Sequence, residues 1–123
     1  MKVSWQFEGN KFPVDKKVLL QIIEKILKEK NIKGKIELGV NIVDDKKMKK
    51  LNESYMKKKG TTDVLSFSLN KEKGPDEIIR LGDIVINIEQ TKRQAKEKKV
   101  KVKKELEFLL EHGLLHLLGF HHK

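Results

Sequence analysis

The chain has 123 residues, 37% of them charged, with a formal charge of +10 and no cysteine. Its length suits a single domain over residues 1–123 with a modest core of its own. Without cysteine, disulfide scaffolds and thiolate metal sites are excluded, and no apolar run approaches the ~20 residues needed to span a bilayer. The opening residues Met1 to Phe7 alternate polar and apolar instead of forming a leader's unbroken apolar stretch, so a soluble, cytoplasmic protein is expected. Every basic residue except Arg80 and Arg93 is lysine, a flexible point charge suited to neutralising phosphate. The charge nominates a polyanion partner, although lysine- and glutamate-rich surfaces also occur in heat-adapted proteins. With few aromatic residues that read as exposed, such contacts are expected to lean on phosphate and shape more than on base stacking.

Residues 2 to 8 alternate Val3, Trp5 and Phe7 with polar neighbours and predict a half-buried strand. Gly9, Asn10 and Pro13 mark a turn, and Asp15 is placed to cap a helix running to about Lys30. Val18, Leu19, Ile22, Ile23, Ile26 and Leu27 form its apolar stripe. After Gly34, a second strand runs from Ile36 to Val43 with Ile36, Leu38, Val40 and Ile42 on one face. Asp44 or Asp45 then caps a short lysine-rich helix through Met48, Leu51 and Tyr55. The basic loop Lys57-Lys58-Lys59-Gly60 leads to a strand from Val64 to Leu69, and Asn70 to Arg80 reads as a turn-rich hairpin connection. Leu81 to Asn87 predicts a fourth strand buried on both faces, followed by a charged helix from Ile88 to about Lys98 with Glu89 near its start. A last helix from about Val102 carries Leu106, Leu109 and Leu110 inward and ends near Gly119. The expected fold class is α+β: a small mixed four-stranded sheet with helices packed on it and the C-terminal helix bearing the chemistry.

All four histidines, His112, His116, His121 and His122, lie at the C-terminal end. His112 and His116 are four apart in a helical run, so their imidazoles share one face a turn apart and can reach one ion. Gly119 sits where a helix ends in a left-handed residue, and the turn would bring a third imidazole back to the same ion. Histidine at +4, glycine at +7 and histidine at +10 is the ligand spacing of the long zincin motif, and it points to His122 as the third ligand, with His121 beside it. Three protein nitrogens leave a fourth position for water, the pattern of a catalytic zinc site. A peptidase of that class places glutamate directly after the first histidine as general base, and this chain has Gly113 there. Glu111 does not substitute, because one residue along a helix is about 100° around it.

The run His-Gly-Leu-Leu-His-Leu-Leu-Gly-Phe-His-His from His112 resembles the His-Gly-x-Leu-His-Leu-x-Gly-Tyr-Asp-His signature of the YbeY family of metal-dependent endoribonucleases. Leu51-Asn52-Glu53-Ser54-Tyr55 with Thr62-Asp63-Val64-Leu65-Ser66-Phe67, and Leu81-Gly82-Asp83-Ile84, are similar to two further family segments in the same order. The resemblance implies an α+β fold with a zincin-like metal helix, one zinc ion on His112, His116 and His122, and a role in small-subunit ribosomal RNA maturation and ribosome quality control. Imidazole also suits nickel or cobalt. Three departures stand out. His121 replaces the family's aspartate, the chain stops at Lys123, and Met56 replaces an arginine whose charge Lys57, Lys58 or Lys59 would have to supply without a bidentate phosphate grip.

The mechanism this implies is hydrolysis of a phosphodiester in single-stranded RNA by a zinc-held hydroxide, since three neutral imidazoles allow zinc to lower its water's pKa to about 7. Ser66, Thr62 and Asp63 are candidates to line the cleft, and Asp83 is a candidate to orient a ligand or position water. Two rivals are carried: a zincin-like peptidase or amidohydrolase, which Gly113 disfavours, and a non-catalytic, metal-stabilised RNA- or ribosome-binding module.

Overall fold

The computed structural model describes residues 1–9, 11–56, 60–69 and 74–120. Strand β1 (Lys2–Phe7) leads to helix α1 (Lys16–Glu29), whose first turn is closed by Asp15 Oδ1 accepting from the Lys17 N–H at 2.9 Å. Strand β2 (Lys35–Val43) follows with the alternation its sequence demands: Ile36, Leu38, Val40 and Ile42 are buried and their neighbours less so. Asp44 is the residue that caps helix α2 (Asp45–Leu51), its Oδ1 accepting from the Lys47 N–H at 2.8 Å. The helix then widens into a π-helical turn, Asn52–Met56. Strands β3 (Val64–Ser68) and β4 (Ile78–Asn87), then helices α3 (Ile88–Lys98) and α4 (Val102–Leu117), complete the order.

The four strands form one mixed sheet in the order β1-β2-β4-β3, with β1, β2 and β4 parallel and β3 antiparallel at the edge. Strand β4 starts three residues earlier than the sequence predicts, because Ile78, Ile79 and Arg80 pair with Lys35, Ile36 and Glu37. The signal is broken by a bulge: Glu37 faces Arg80 but Leu38 faces Gly82, so Leu81 is an extra residue. Gly82 has φ +126°, and a Cβ there would collide with the Phe67 carbonyl of the neighbouring strand.

Helices α1 and α4 cover one face of the sheet. Leu19, Ile23, Leu110 and Leu114 meet Val40, Ile42, Ile84 and Ile86 in one cluster, all of them essentially inaccessible. Each such side chain contributes about 1.5–3 kcal/mol on burial. The opposite face is covered over only part of its width, by Met48 and Leu51 of α2 on Leu65, Val85 and Phe67. Among the described residues, no helix is long and apolar enough to cross a membrane.

Candidate functional site

Helix α4 carries two stripes on different faces. Leu106, Leu109, Leu110, Leu114 and Leu117 face the core at 0–1% exposure, while Phe108, His112 and His116 recur every four residues along the flank. The two imidazoles lie with ring centroids 4.6 Å apart and planes tilted by 41°. Phe108 stacks on the His112 ring at 6.3 Å and is itself 53% exposed, against the expectation that exposed aromatic surface is scarce. The helix ends at Leu117 with Leu118 as its C-cap, and Gly119 takes φ +91°. Gly119 N–H donates to the His116 carbonyl and Phe120 N–H to the Leu115 carbonyl, a Schellman closure that turns the chain back ahead of residues 121–123.

Gly113 has a steric reason. A Cβ there would lie 2.8 Å from Ile84 Cγ2 and 3.1 Å from Val64 Cγ2, so the helix backbone rests directly on β3 and β4 between the two histidines. Ser66 Oγ donates to the Gly113 carbonyl at 2.8 Å and fixes that approach. A glutamate at this position would have to enter the sheet, which removes the peptidase's general base on geometric grounds. Sequence alone indicated only that the glutamate was missing.

Across from the histidines, Asn52 and the segment Thr61–Asp63 close a cleft of about 420 Å³ that also takes in Ser66. Buried Asn87, at the end of β4, holds this wall in place. Its Nδ2 donates to Thr61 Oγ1 at 2.8 Å, to the Thr62 carbonyl at 3.2 Å and to Asp45 Oδ1 at 2.7 Å. Its Oδ1 accepts from the Glu89 and Gln90 N–H groups and caps α3, and its own N–H donates to the Asp63 carbonyl. Asp45 receives both terminal nitrogens of Arg93 at 2.8 and 2.7 Å. These bonds, first from Arg93 and then from Asn87, hold the Asp45 carboxyl down at about 2. Asn52 Nδ2 donates to the Gly60 carbonyl at 3.2 Å, tying the π-helical turn to the start of the same wall.

The structure thus gathers His112, His116, Ser66, Thr62 and Asp63 into one cleft. It does not bring Asp83 there: Asp83 pairs with Phe67 and lies on the other face of the sheet, lining a separate groove with Asn41 and Tyr55. Lys57, Lys58, Lys59, His121 and His122 lie outside the described residues, as does the side chain of Met56. Among the described residues, no set of three histidine or carboxylate side chains is assembled around one point. The His112–His116 pair nonetheless suits a shared ion: neutral imidazoles are good ligands for zinc, and nitrogens at about 2.0–2.1 Å from one ion fit rings this close. Asn52 and Thr61 line this cleft, and Phe108 stacks on His112 beside it, though the sequence did not single these three out for the site. Asn52 carried a legible signal in its family-like segment Leu51-Asn52-Glu53-Ser54-Tyr55, and Phe108 one in its spacing of four before His112.

The family model described as Endoribonuclease YbeY matches residues 4–123. The chain belongs to the YbeY family. It is 35% identical to the Endoribonuclease YbeY of Oceanobacillus iheyensis, over 99% of this chain and 84% of that protein. The Endoribonuclease YbeY of Moorella thermoacetica is 38% identical over 99% of this chain and 85% of its own. The solution structure of TM1509 from Thermotoga maritima superposes with a TM-score of 0.61 at 28% identity, covering 98% of this chain and 75% of that one. The YbeY signature residues His112, Gly113 and His116 therefore sit where helix, edge strand and the Thr61–Asp63 wall converge.

Proposed function

We propose that this YbeY chain is a metal-dependent endoribonuclease that cuts single-stranded RNA, acting in maturation and quality control of small-subunit ribosomal RNA in the cytoplasm. The observation that carries this reading is the imidazole pair, 4.6 Å apart, facing a polar cleft whose helix leaves no room for a peptidase's glutamate. His112 and His116 would hold zinc, or nickel or cobalt, with His122 as the third ligand by its spacing. Bound there, the ion would supply Lewis acidity and lower the pKa of a water to about 7.

The chain's own groups do the rest. Asp63 and Thr62 offer a carboxylate and a hydroxyl to orient the attacking water, and Asn87 keeps them at a fixed distance from α4. Ser66 sets the height of the helix over the sheet. Phe108, half-exposed beside His112 and with the Lys98 ammonium 4.3 Å over its ring, presents its edge to a neighbouring base, while the surplus of lysine favours the phosphate chain.

The test is cleavage of matched single-stranded and duplex RNA oligonucleotides, with a peptide library alongside, before and after chelation and zinc add-back. Cutting confined to single-stranded RNA, lost on chelation and restored by zinc, is expected. Bound but intact RNA under every condition would instead establish the non-catalytic binding module, and cut peptides would revive the peptidase.

A further inference from the structure

The sheet's second face is unusual for its topology. Three parallel strands are ordinarily covered on both sides, because crossover helices bury both faces. Here β1, β2 and β4 are parallel, yet α2 covers only the β3–β4 side. What remains is a groove of about 500 Å³, larger than the histidine cleft and within the range of small-ligand sites.

Its floor sets three polar side chains, ordered by strand register, among apolar ones such as Val85, Leu51 and Phe67. Gln6 lies opposite Asn41 on the neighbouring strand, and Asp83 lies opposite Gly39. Gly39 has no side chain, and a Cβ there would collide with the Asp83 carboxylate, which leans across the gap. Among the described residues, the side chains of Gln6, Asn41 and Asp83 make no hydrogen bond or ion pair. One wall is aromatic: Tyr55, 68% exposed, meets Phe67 edge to face at 5.6 Å. Lys47 of α2 stands at the rim, with Lys46, Lys49 and Lys50 exposed on the same helix.

We propose that this groove is a second nucleotide subsite, taking one base of the same single-stranded RNA that enters the histidine cleft. Amide and carboxylate groups free to pair, beside a ring free to stack, suit a planar heterocycle with polar edges. They do not suit an apolar protein surface, which would leave those groups unpaired at a cost. The Asp83 carboxylate is acceptor-only, so it favours bases with an exocyclic amino group, cytosine, adenine or guanine, over uracil, whose edge offers only N3–H. The lysine rim supplies the charge complement to phosphate. Edge strand β3 joins the two sites, since consecutive residues point to opposite faces: Ser66 into the cleft and Phe67 into the groove.

The inference rests on the RNA reading of the histidine cleft, and its test separates the two. Anisotropy titrations with fluorescent oligo-C, oligo-A and oligo-U would be run on the full chain and on Tyr55→Ala, Asp83→Asn and Lys47→Ala. Tyr55 and Asp83 are exposed, and melting curves would confirm that each variant folds. Backbone amide shifts would map the bound site. The expectation is tighter binding of C and A than of U, a preference that Asp83→Asn erases. Tyr55→Ala should weaken binding about tenfold, as loss of one stacked base does. Lys47→Ala should reduce the salt slope by about 0.7, one phosphate's share on a single strand. Amide shifts are expected at Asn41, Asp83 and Phe67. RNA binding with shifts confined to Ser66 and α4, and with all three variants unchanged, overturns the second subsite and leaves the cleft reading intact. No binding of any oligonucleotide overturns both.

Discussion

Replacing Gly113 with alanine tests the geometry at the centre of the site, because two opposed effects set the sign of the outcome. A glycine inside a helix costs about 0.8–1.0 kcal/mol relative to alanine, so Gly→Ala in a helix interior ordinarily stabilises. At Gly113 the new methyl would lie 2.8 Å from Ile84 Cγ2 and 3.1 Å from Val64 Cγ2. Both contacts are methyls on β-branched strand residues that cannot swing away, and Ile84 is fully buried. Overpacking of this kind costs about 1–3 kcal/mol, which leaves a net destabilisation of about 1 kcal/mol. For a chain of this size that corresponds to a melting temperature lowered by roughly 3–5 °C. The helix must also lift from β3, lengthening the 2.8 Å bond from Ser66 to the Gly113 carbonyl and moving both imidazoles. Thermal unfolding followed by circular dichroism reads the stability, and RNA cleavage reads the displacement. A variant that melts higher than the wild type, with cleavage unchanged, would refute the close seat of α4 on the sheet.

Three further outcomes follow from the cleft and the groups that support it. Asn87→Ala removes the donor that holds Thr61, Thr62 and Asp45 and the acceptor that caps α3; urea unfolding should show a loss of about 2–4 kcal/mol, and a loss below about 1 would mean the network is not what holds the wall. Asp45 has its folded pKa depressed to about 2 from 3.8, so its stabilisation is full above about pH 4 and fades as pH falls towards 2. With a third of the side chain exposed, that contribution is discounted to about 1 kcal/mol, and the stability gap between wild type and Asp45→Asn should narrow by that amount from pH 5 to pH 2; a constant gap contradicts the assignment. Phe108→Ala should leave the melting temperature within a few degrees, since the ring is half exposed, but should raise KM for single-stranded RNA about tenfold with kcat little changed. An unaltered KM would remove Phe108 from the substrate path.

Much of this architecture was legible because it rests on short-range rules. The alternation in β2, the Asp15 cap and the stop at Gly119 each follow from a local pattern, and the structure places them as read. The early start of β4 was not legible: the bulge at Leu81–Gly82 breaks the period of two, so Ile78 to Arg80 look like loop. Asp83 shows a different limit. Alternation puts it opposite Ile84, but which face the histidine helix covers depends on packing between distant segments, and that face is the one bearing Ile84. Asp44 and Asp45 were equivalent candidates for the α2 cap. Only the fold shows that Asp44 caps while Asp45 reaches Arg93 and Asn87. The absence of glutamate at position 113 could be read directly, but the reason for glycine could not, since Ile84 and Val64 are far away in the chain.

The most direct test of the central claim measures metal content and RNA cleavage on the same samples of wild type, His112→Ala, His116→Ala and His122→Ala. About one zinc per wild-type chain is expected, with metal and cleavage lost together in each variant and the fold retained by circular dichroism. Cleavage that persists in a folded, metal-free His116→Ala protein would contradict the account, because hydrolysis would then arise somewhere other than the histidine cleft.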